Sequence, residues 1–267
     1  MSFDDFQKMS FRNLDCEIFY WHKKGNTDKY LILLHGAGCD HFIFEKQIDA
    51  LSNYNIIAWD ARGHGLSKLD KNKKFSFKDM HNDCLKLLEI HKIEKAVFIG
   101  QSMGGNLAQE IAYYNPGFIE KLVLIDCTKN TQKLSSADKF TLKISRFLFM
   151  MYPWKTLVRQ SADACGNTEY TKNYVRKCFE RMEKNNFIDI MMSLLLCLHE
   201  DNEYKFKNPV LLLCGEDDKS GNIKKIMISW PQNDPHCTLR MIKGAGHSSN
   251  QDNPEEVNKN ILMFLNE

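Results

Sequence analysis

No apolar run in this chain is long enough to cross a membrane. The longest candidate, Phe187 to Leu198, spans about twelve residues and is broken by Asp189 and Ser193. The opening Met1-Ser2-Phe3-Asp4-Asp5 is acidic and lacks the basic-then-apolar order of a secretory signal. A cytoplasmic protein without membrane insertion is therefore expected. Excess charge is also absent. The formal net charge is +2, with both signs mixed along the chain, so no nucleic-acid track is expected. The short cluster Lys71-Asn72-Lys73-Lys74 reads as a solvated loop.

Paired cysteine spacing is missing too. The nine cysteines are odd in number, and no two stand as C-x-x-C. That argues against a disulfide framework and against zinc, and for reduced thiols buried as small hydrophobes. There is no phosphate-loop spacing, no dinucleotide fingerprint and no metal motif, so neither cofactor nor metal is expected. No internal repeat or low-complexity segment appears, and nothing fixes an oligomeric state.

What is present is a globular composition over 267 residues, 43% hydrophobic and 26% charged. That is enough chain for one large domain or one domain with an insertion. Apolar runs alternate with helical patterns. The runs are Tyr30 to Leu34, Ile56 to Trp59, Ala96 to Ile99, Leu122 to Ile125, Val210 to Cys214 and Thr238 to Ile242. Most are unbroken, as in strands covered on both faces. Between them, Phe77, Met80, Cys84, Leu87, Leu88 and His91 recur at the spacing of one helix face. A closing helix is expected from about Pro254 to Phe264, with proline in its first turn. Strands alternating with helices predict a mostly parallel α/β sheet. The segment from about Phe11 to Trp21 reads as an antiparallel edge hairpin.

One interval breaks the alternation. From about Lys129 to Phe206 there are helical patterns and no strand. The interval is rich in Met, Phe and Leu, as in Phe147 to Met151 and Met191 to Leu196. It reads as an all-helical insertion capping one edge of the sheet. The expected division is 1–128 and 207–267 for the core and 129–206 for the cap.

The most informative stretch is Gly100-Gln101-Ser102-Met103-Gly104-Gly105. It follows an apolar run and precedes a plausible helix, Asn106 to Tyr114. A serine between glycines at a strand-to-helix turn forms a tight, strained elbow that exposes the hydroxyl. Ligands of open α/β sheets sit beyond the carboxyl ends of the strands. The residues just past those ends are His35-Gly36-Ala37-Gly38, Asp60, Ser102, Asp126, Glu216-Asp217-Asp218 and His247. A serine, several carboxylates and a histidine therefore converge on one rim, in the order Ser, acid, His.

These motifs, HGAG at 35–38, DARGHGLS at 60–67, GQSMGG at 100–105, GEDD at 215–218 and GAGH at 244–247, resemble those of the α/β-hydrolase family. The resemblance runs from about residue 10 to the end. It implies a mostly parallel eight-stranded sheet flanked by helices, with the inserted helical cap. It implies Ser102 as nucleophile, His247 as base, and Asp218 as the acid that orients it. Asp217 is its adjacent rival. Asp126 is the other location some relatives use, or else a capping residue at the entry to the insertion. Glu216 is expected to fix the loop. Oxyanion donors would be the backbone N–H groups of Ala37 and Met103.

His35, and the pair Asp60 and Arg62, are expected to brace loops. His41 and His64 read as loop histidines with a solvent or packing role, although His41 and Cys39 lie close enough to HGAG to line a pocket. Serine in place of aspartate at the elbow disfavours epoxide or halide chemistry. The expectation is a serine esterase acting on small to medium apolar esters. Its alternatives are a carbon–carbon or amide hydrolase of the same fold, or a binding protein that keeps the fold.

Overall fold

The computed structural model describes residues 1–133 and 136–267. Of residues 136–143, 195 and 196 it describes the helical backbone only. Eight strands form one sheet: β1 (Gln7–Asn13), β2 (Cys16–Lys23), β3 (Tyr30–Leu34), β4 (Asn55–Trp59), β5 (Ala96–Gln101), β6 (Ile119–Ile125), β7 (Val210–Gly215) and β8 (Cys237–Ile242). Their spatial order is β1-β2-β4-β3-β5-β6-β7-β8. The β1–β2 hairpin and the β2–β4 pair are antiparallel, and all later neighbours are parallel. This is the fold expected from the alternation.

The burial of each strand follows its composition. Every residue of β4, β5 and β7 is buried, as befits apolar strands with helices on both faces. The edge strand β8 alternates, with Cys237 and Ile242 buried and Thr238 and Arg240 exposed. Edge strand β1 has no buried residue.

The helices α1 (Phe77–Ile90), α2 (Met103–Tyr114), α7 (Ile223–Asn233), α8 (Ser249–Asp252) and α9 (Pro254–Asn266) accompany the sheet. In α1 the Ser76 hydroxyl caps the first turn by accepting the Asp79 N–H, and Phe77, Met80, Cys84, Leu87 and Leu88 are buried. His91 lies just beyond its last turn, where Nε2 meets the Tyr20 hydroxyl at 3.1 Å. The helix therefore stops one residue short of the periodic pattern.

Between β6 and β7 stand α3 (Ser136–Met151), α4 (Trp154–Ala164), α5 (Glu169–Glu180) and α6 (Lys184–Leu196), with no strand among the described residues. The two connecting stretches run beside each other: the His199 N–H donates to the Asn130 carbonyl and the Asp201 N–H to that of Thr131. The helical segment thus leaves and rejoins the sheet at neighbouring points.

Sheet order positions the site. β3 has β4 on one side and β5 on the other, so the chain reverses its direction of progress across the sheet there. In parallel α/β sheets such a switch point opens a crevice beyond the strand ends. Leu34 pairs with Gly100 in register, which sets the loop after β3 beside the turn after β5.

Candidate active site

The turn between β5 and α2 is the strained element. Ser102 has φ 49° and ψ −115°, a conformation that costs a non-glycine residue free energy. Its N–H is held by the Ile125 carbonyl at 2.8 Å. The flanking glycines are required by close approach. A Cβ on Gly100 would stand 2.3 Å from the Gly104 oxygen, and one on Gly104 would stand 1.9 Å from the Leu34 oxygen.

Ser102 Oγ lies 3.0 Å from Nε2 of His247, and Nδ1 of His247 lies 3.0 Å from Oδ2 of Asp218. A carboxylate can only accept, so the proton belongs on Nδ1, which leaves Nε2 to accept from the Ser102 hydroxyl. The other oxygen of Asp218 accepts the Ser220 N–H at 2.7 Å. Burial would raise the Asp218 carboxyl, but the hydrogen bond and charge of His247 outweigh it and hold it below the usual range. Burial would likewise depress His247, yet the hydrogen bond and charge of Asp218, with the charge of Asp126, keep it above its ordinary value.

The rival carboxylates go elsewhere. Asp217 is drawn off by its own N–H, which donates to the Ala245 carbonyl, and its side chain accepts from Asn167 Nδ2 at 2.8 Å. The Glu216 side chain is exposed, and its backbone carbonyl accepts from Lys224. Asp126 is fully buried and makes no hydrogen bond to His247. It accepts the N–H of Gly215 with Oδ1 and the N–H of Ser249 with Oδ2, both at 2.8 Å. It therefore ties the end of β7 to the histidine loop, rather than capping an entry turn.

Three fixtures carry no local sequence signal. Gln101 Nε2 donates to the His247 carbonyl at 2.9 Å, bracing the histidine from within the elbow. Asp252 accepts the N–H groups of Gly246, Asn167 and Thr168, so one carboxylate joins the histidine loop to the start of α5. Asp40, on the loop after β3, accepts the Tyr174 hydroxyl of α5 at 2.9 Å. On the same loop Gly38 lies under Phe179, since a Cβ there would meet its ring at 2.3 Å.

Among the described residues the N–H groups of Ala37 and Met103 meet no acceptor. Ala37 lines the cavity into which Ser102 opens, and Met103 is the first residue of α2, where an N–H has no intrahelical partner.

The loop-bracing residues have partners of their own. His35 accepts the Ala61 N–H on Nε2. Asp60 and Arg62 do not pair with each other. Asp60 accepts from His41 and from the Leu66 N–H, whereas Arg62 binds Asp83, Asp15 and Asp79. His41 is stacked on Trp21 with centroids 3.4 Å apart, so it packs away from the cavity that Cys39 does line. His64 is buried, and burial depresses it to about 3.

That cavity has a volume of about 130 Å³. Its floor is Ala37, Cys39, Ser102 and His247, and its walls come from the helical segment: Phe149, Phe179, Phe187, Met191 and Leu194. Of the two Met- and Phe-rich stretches, Phe149, Met191 and Leu194 face it, while Phe147, Leu148, Met150 and Met151 are exposed. The side chains of Leu195 and Leu196 lie outside the described residues. Two wider grooves, about 630 and 790 Å³, contain none of Ser102, Asp218 or His247. Among the described residues no cluster of His, Cys, Asp and Glu could hold a metal ion.

A model of the family described as serine aminopeptidase, S33, matches residues 25–253. The chain belongs to that family of α/β-hydrolases. This hydrolase is 24% identical over 258 residues to the uncharacterized hydrolase YugF of Bacillus subtilis, covering 93% of this chain and 94% of the relative. A thermophilic esterase from Thermogutta terrifontis superposes with a TM-score of 0.78 at 19% identity, over 97% of this chain and 98% of that one. The enol-lactonase from Burkholderia xenovorans LB400 gives 0.80 at 20% identity, over 94% and 97%. These superpositions show a shared fold.

Proposed function

We propose that this α/β-hydrolase cleaves carboxylic esters through an acyl-enzyme on Ser102. The observation that carries the reading is the hydrogen-bonded line from Ser102 Oγ through His247 to Asp218, set on a strained elbow inside a cavity. A serine hydroxyl is a weak nucleophile until a base stands within hydrogen-bond reach. Ser102 Oγ bonds to the ester carbonyl carbon as its proton passes to His247 Nε2. The oxyanion is held by the N–H groups of Ala37 and Met103. The carbon–oxygen bond to the alcohol breaks, and His247 returns the proton to the departing oxygen. Water then attacks the acyl-enzyme, giving its proton to His247, and the acid leaves as Ser102 Oγ recovers a proton. The substrate is a small molecule, and no step calls for a cofactor.

Residues 129–206 act as a cap in this reading, because α3, α5 and α6 wall the cavity above Ser102. Nine unpaired cysteines suit a reducing compartment, the cytoplasm. The esterase and enol-lactonase neighbours give weight to an ester over an epoxide. The test is labelling by a fluorophosphonate probe together with turnover of p-nitrophenyl butyrate. Wild type labels and turns over, and Ser102→Ala does neither. Sustained turnover by Ser102→Ala at the wild-type rate overturns the reading.

A further inference from the structure

We infer that the outer face of α3, with the start of α4, is a docking surface for an anionic lipid bilayer, on which the protein lies without crossing it. The inference does not depend on the esterase reading. Ile144, Phe147, Leu148 and Met151 follow the i, i+3, i+4, i+7 spacing of one helix face. That face looks to solvent. Phe147 is 66% exposed and Met151 68%, and Met150 and Tyr152 beside them are exposed as well. Phe149, on the opposite side of the helix, lines the cavity that holds Ser102. This end of α3 is therefore apolar on both sides, whereas a helix that only closed a cavity would turn polar residues outward. Single exposed apolar residues are ordinary, but a contiguous run rimmed by polar groups marks an interaction surface. The run is also held in place. Lys184, at the start of α6, donates to the carbonyls of Met150 at 2.6 Å and Tyr152 at 2.7 Å, which caps the end of α3.

Charge names the occupant. From Lys139 to Gln160 the sequence has five cations, Lys139, Lys143, Arg146, Lys155 and Arg159, and no carboxylate. The whole chain is only +2, so the remainder is net acidic and the excess of positive charge sits in this stretch. Arg146 is paired with Asp189 at 2.8 Å. Lys155 and Arg159, one turn apart on the exposed side of α4, meet no carboxylate among the described residues. The Lys71-Asn72-Lys73-Lys74 loop extends the basic rim, since its lysines border the groove that Asp189 also lines. Of the other carboxylates in that groove, Asp70 is taken by Arg12, and Glu183 is the one left unpaired among the described residues.

An aromatic and aliphatic helix face rimmed by lysine and arginine suits the interface plane of a membrane. Its apolar side chains enter the acyl boundary and its cations meet anionic headgroups. A second copy of this chain fits less well, because a two-fold contact through this face would set the same cations against each other. Among the described residues no helix is long and apolar enough to cross a membrane, so the contact is peripheral and sensitive to salt.

The experiment sediments the whole chain with vesicles, either phosphatidylcholine alone or equal parts phosphatidylcholine and phosphatidylglycerol. At about 0.1 M salt, wild type is expected to partition onto the anionic vesicles roughly tenfold or more above the neutral ones. Raising the salt to about 1 M shortens the screening length from about 10 Å to about 3 Å and removes most of that difference. Phe147→Ser with Met151→Ser, and separately Lys155→Glu with Arg159→Glu, each lower the anionic partition roughly tenfold or more. None of these four residues lines the cavity that holds Ser102, so turnover of p-nitrophenyl butyrate is expected to stay at the wild-type level. Melting temperature reports their folding independently of any turnover. Should a variant misfold, amide hydrogen exchange of wild type decides, with protection by anionic vesicles expected over residues 144–159. Binding to neither vesicle, equal binding to both, or variants that bind as wild type does would each overturn the inference, as would exchange protection that misses 144–159. A wild type that is dimeric in solution and becomes monomeric with Phe147→Ser and Met151→Ser assigns the face to a second copy, and overturns it too.

Discussion

Asp126 Oδ2 accepts the backbone N–H of Ser249 at 2.8 Å, two residues beyond His247. Its other oxygen accepts the Gly215 N–H, at the root of the loop that carries Asp218. One buried carboxylate therefore sets the spacing between the histidine and its acid. Asp126 itself has φ 46°, a left-handed conformation that aspartate tolerates better than most residues. Burial pushes its carboxyl up to about 7, against the charge of His247 and the two N–H donors. In Asp126→Asn one N–H must face an amide NH₂ and lose its acceptor. The expected outcome is kcat lowered about tenfold, with KM within about twofold. The acid limb of the rate profile also moves down a little, because the partial negative charge that Asp126 carries near pH 7 beside His247 is gone. Steady-state kinetics across pH check both.

The wild-type profile has its own sign. Protonated imidazole cannot accept the Ser102 proton, so activity falls as pH drops through the His247 value. The hydrogen bond and charge of Asp218 outweigh burial and hold that value above the ordinary 6.5. The midpoint of the acid limb of kcat/KM is therefore expected above 6.5, the reference for a free imidazole. A midpoint at or below that reference contradicts the Asp218–His247 arrangement.

The two adjacent aspartates give the sharpest contrast. Asp218→Asn replaces the acceptor that fixes the Nδ1–H tautomer, so the expected loss in kcat is roughly a thousand- to ten-thousandfold. Asp217→Asn keeps an oxygen able to accept from Asn167 and leaves His247 untouched, so the expected loss is under about fivefold. Parallel kinetics of the two variants decide, and the reverse ranking moves the acid by one position.

Much of this arrangement is legible in the residues alone, for physical reasons. β4, β5 and β7 are buried throughout, as are Leu31 to Leu34 of β3 and Leu122 to Ile125 of β6, and such apolar runs announce themselves. Ser102 lies in a turn whose glycines are demanded by close backbone approach, and His247 follows Gly244, whose φ of +62° suits glycine, and Gly246, which packs against the Gly166 backbone. The choice between Asp217 and Asp218 is not so marked, because it depends on the Asp217 N–H reaching Ala245, a contact made by a separate strand's loop. Gln101 stands beside Ser102 in the elbow motif, yet its partner, the His247 carbonyl, is far away in the chain. Asp40 with Tyr174, and Asp252 with Thr168, likewise join distant segments. No local periodicity encodes such pairings. His41 illustrates the converse: nearness in sequence to HGAG suggested the pocket, whereas Trp21 and Asp60 draw the ring away.

The attachments of the helical segment make a separate prediction. Tyr174 donates to Asp40 from α5 and fixes the loop that carries Ala37. Tyr174→Phe removes that donor and leaves the ring. A buried carboxylate that loses one of its donors costs about 1–3 kcal/mol. Because the loss falls on the loop that carries Ala37, the proposed oxyanion donor, kcat is expected to drop three- to tenfold while fluorophosphonate labelling persists more slowly. Unchanged kinetics with a lowered melting temperature would assign the bond to stability alone.

The last prediction concerns Arg62, which is wholly buried. Its Nε donates to Asp83 Oδ2 at 2.6 Å and its Nη2 to Asp83 Oδ1 at 2.9 Å, a bidentate pair joining the loop after β4 to α1. Asp83 is fully buried too, with Asn13 Nδ2 as its further donor at 2.8 Å. Burial alone raises the Asp83 carboxyl, and the guanidinium pulls against that rise. Arg62→Met strands this carboxylate, and breaking a buried pair from one side costs about 3–5 kcal/mol. The loop it holds also carries Asp60, the acceptor for His41 and Leu66, so both stability and activity are expected to fall. In a chain of this size the melting temperature should drop by roughly 10 °C. Adding Asp83→Leu to Arg62→Met removes the stranded charge and should recover part of that loss. A double variant no more stable than Arg62→Met would mean that the loop depends on the guanidinium's contacts to Asp15 and Asp79, not on relief of the Asp83 charge.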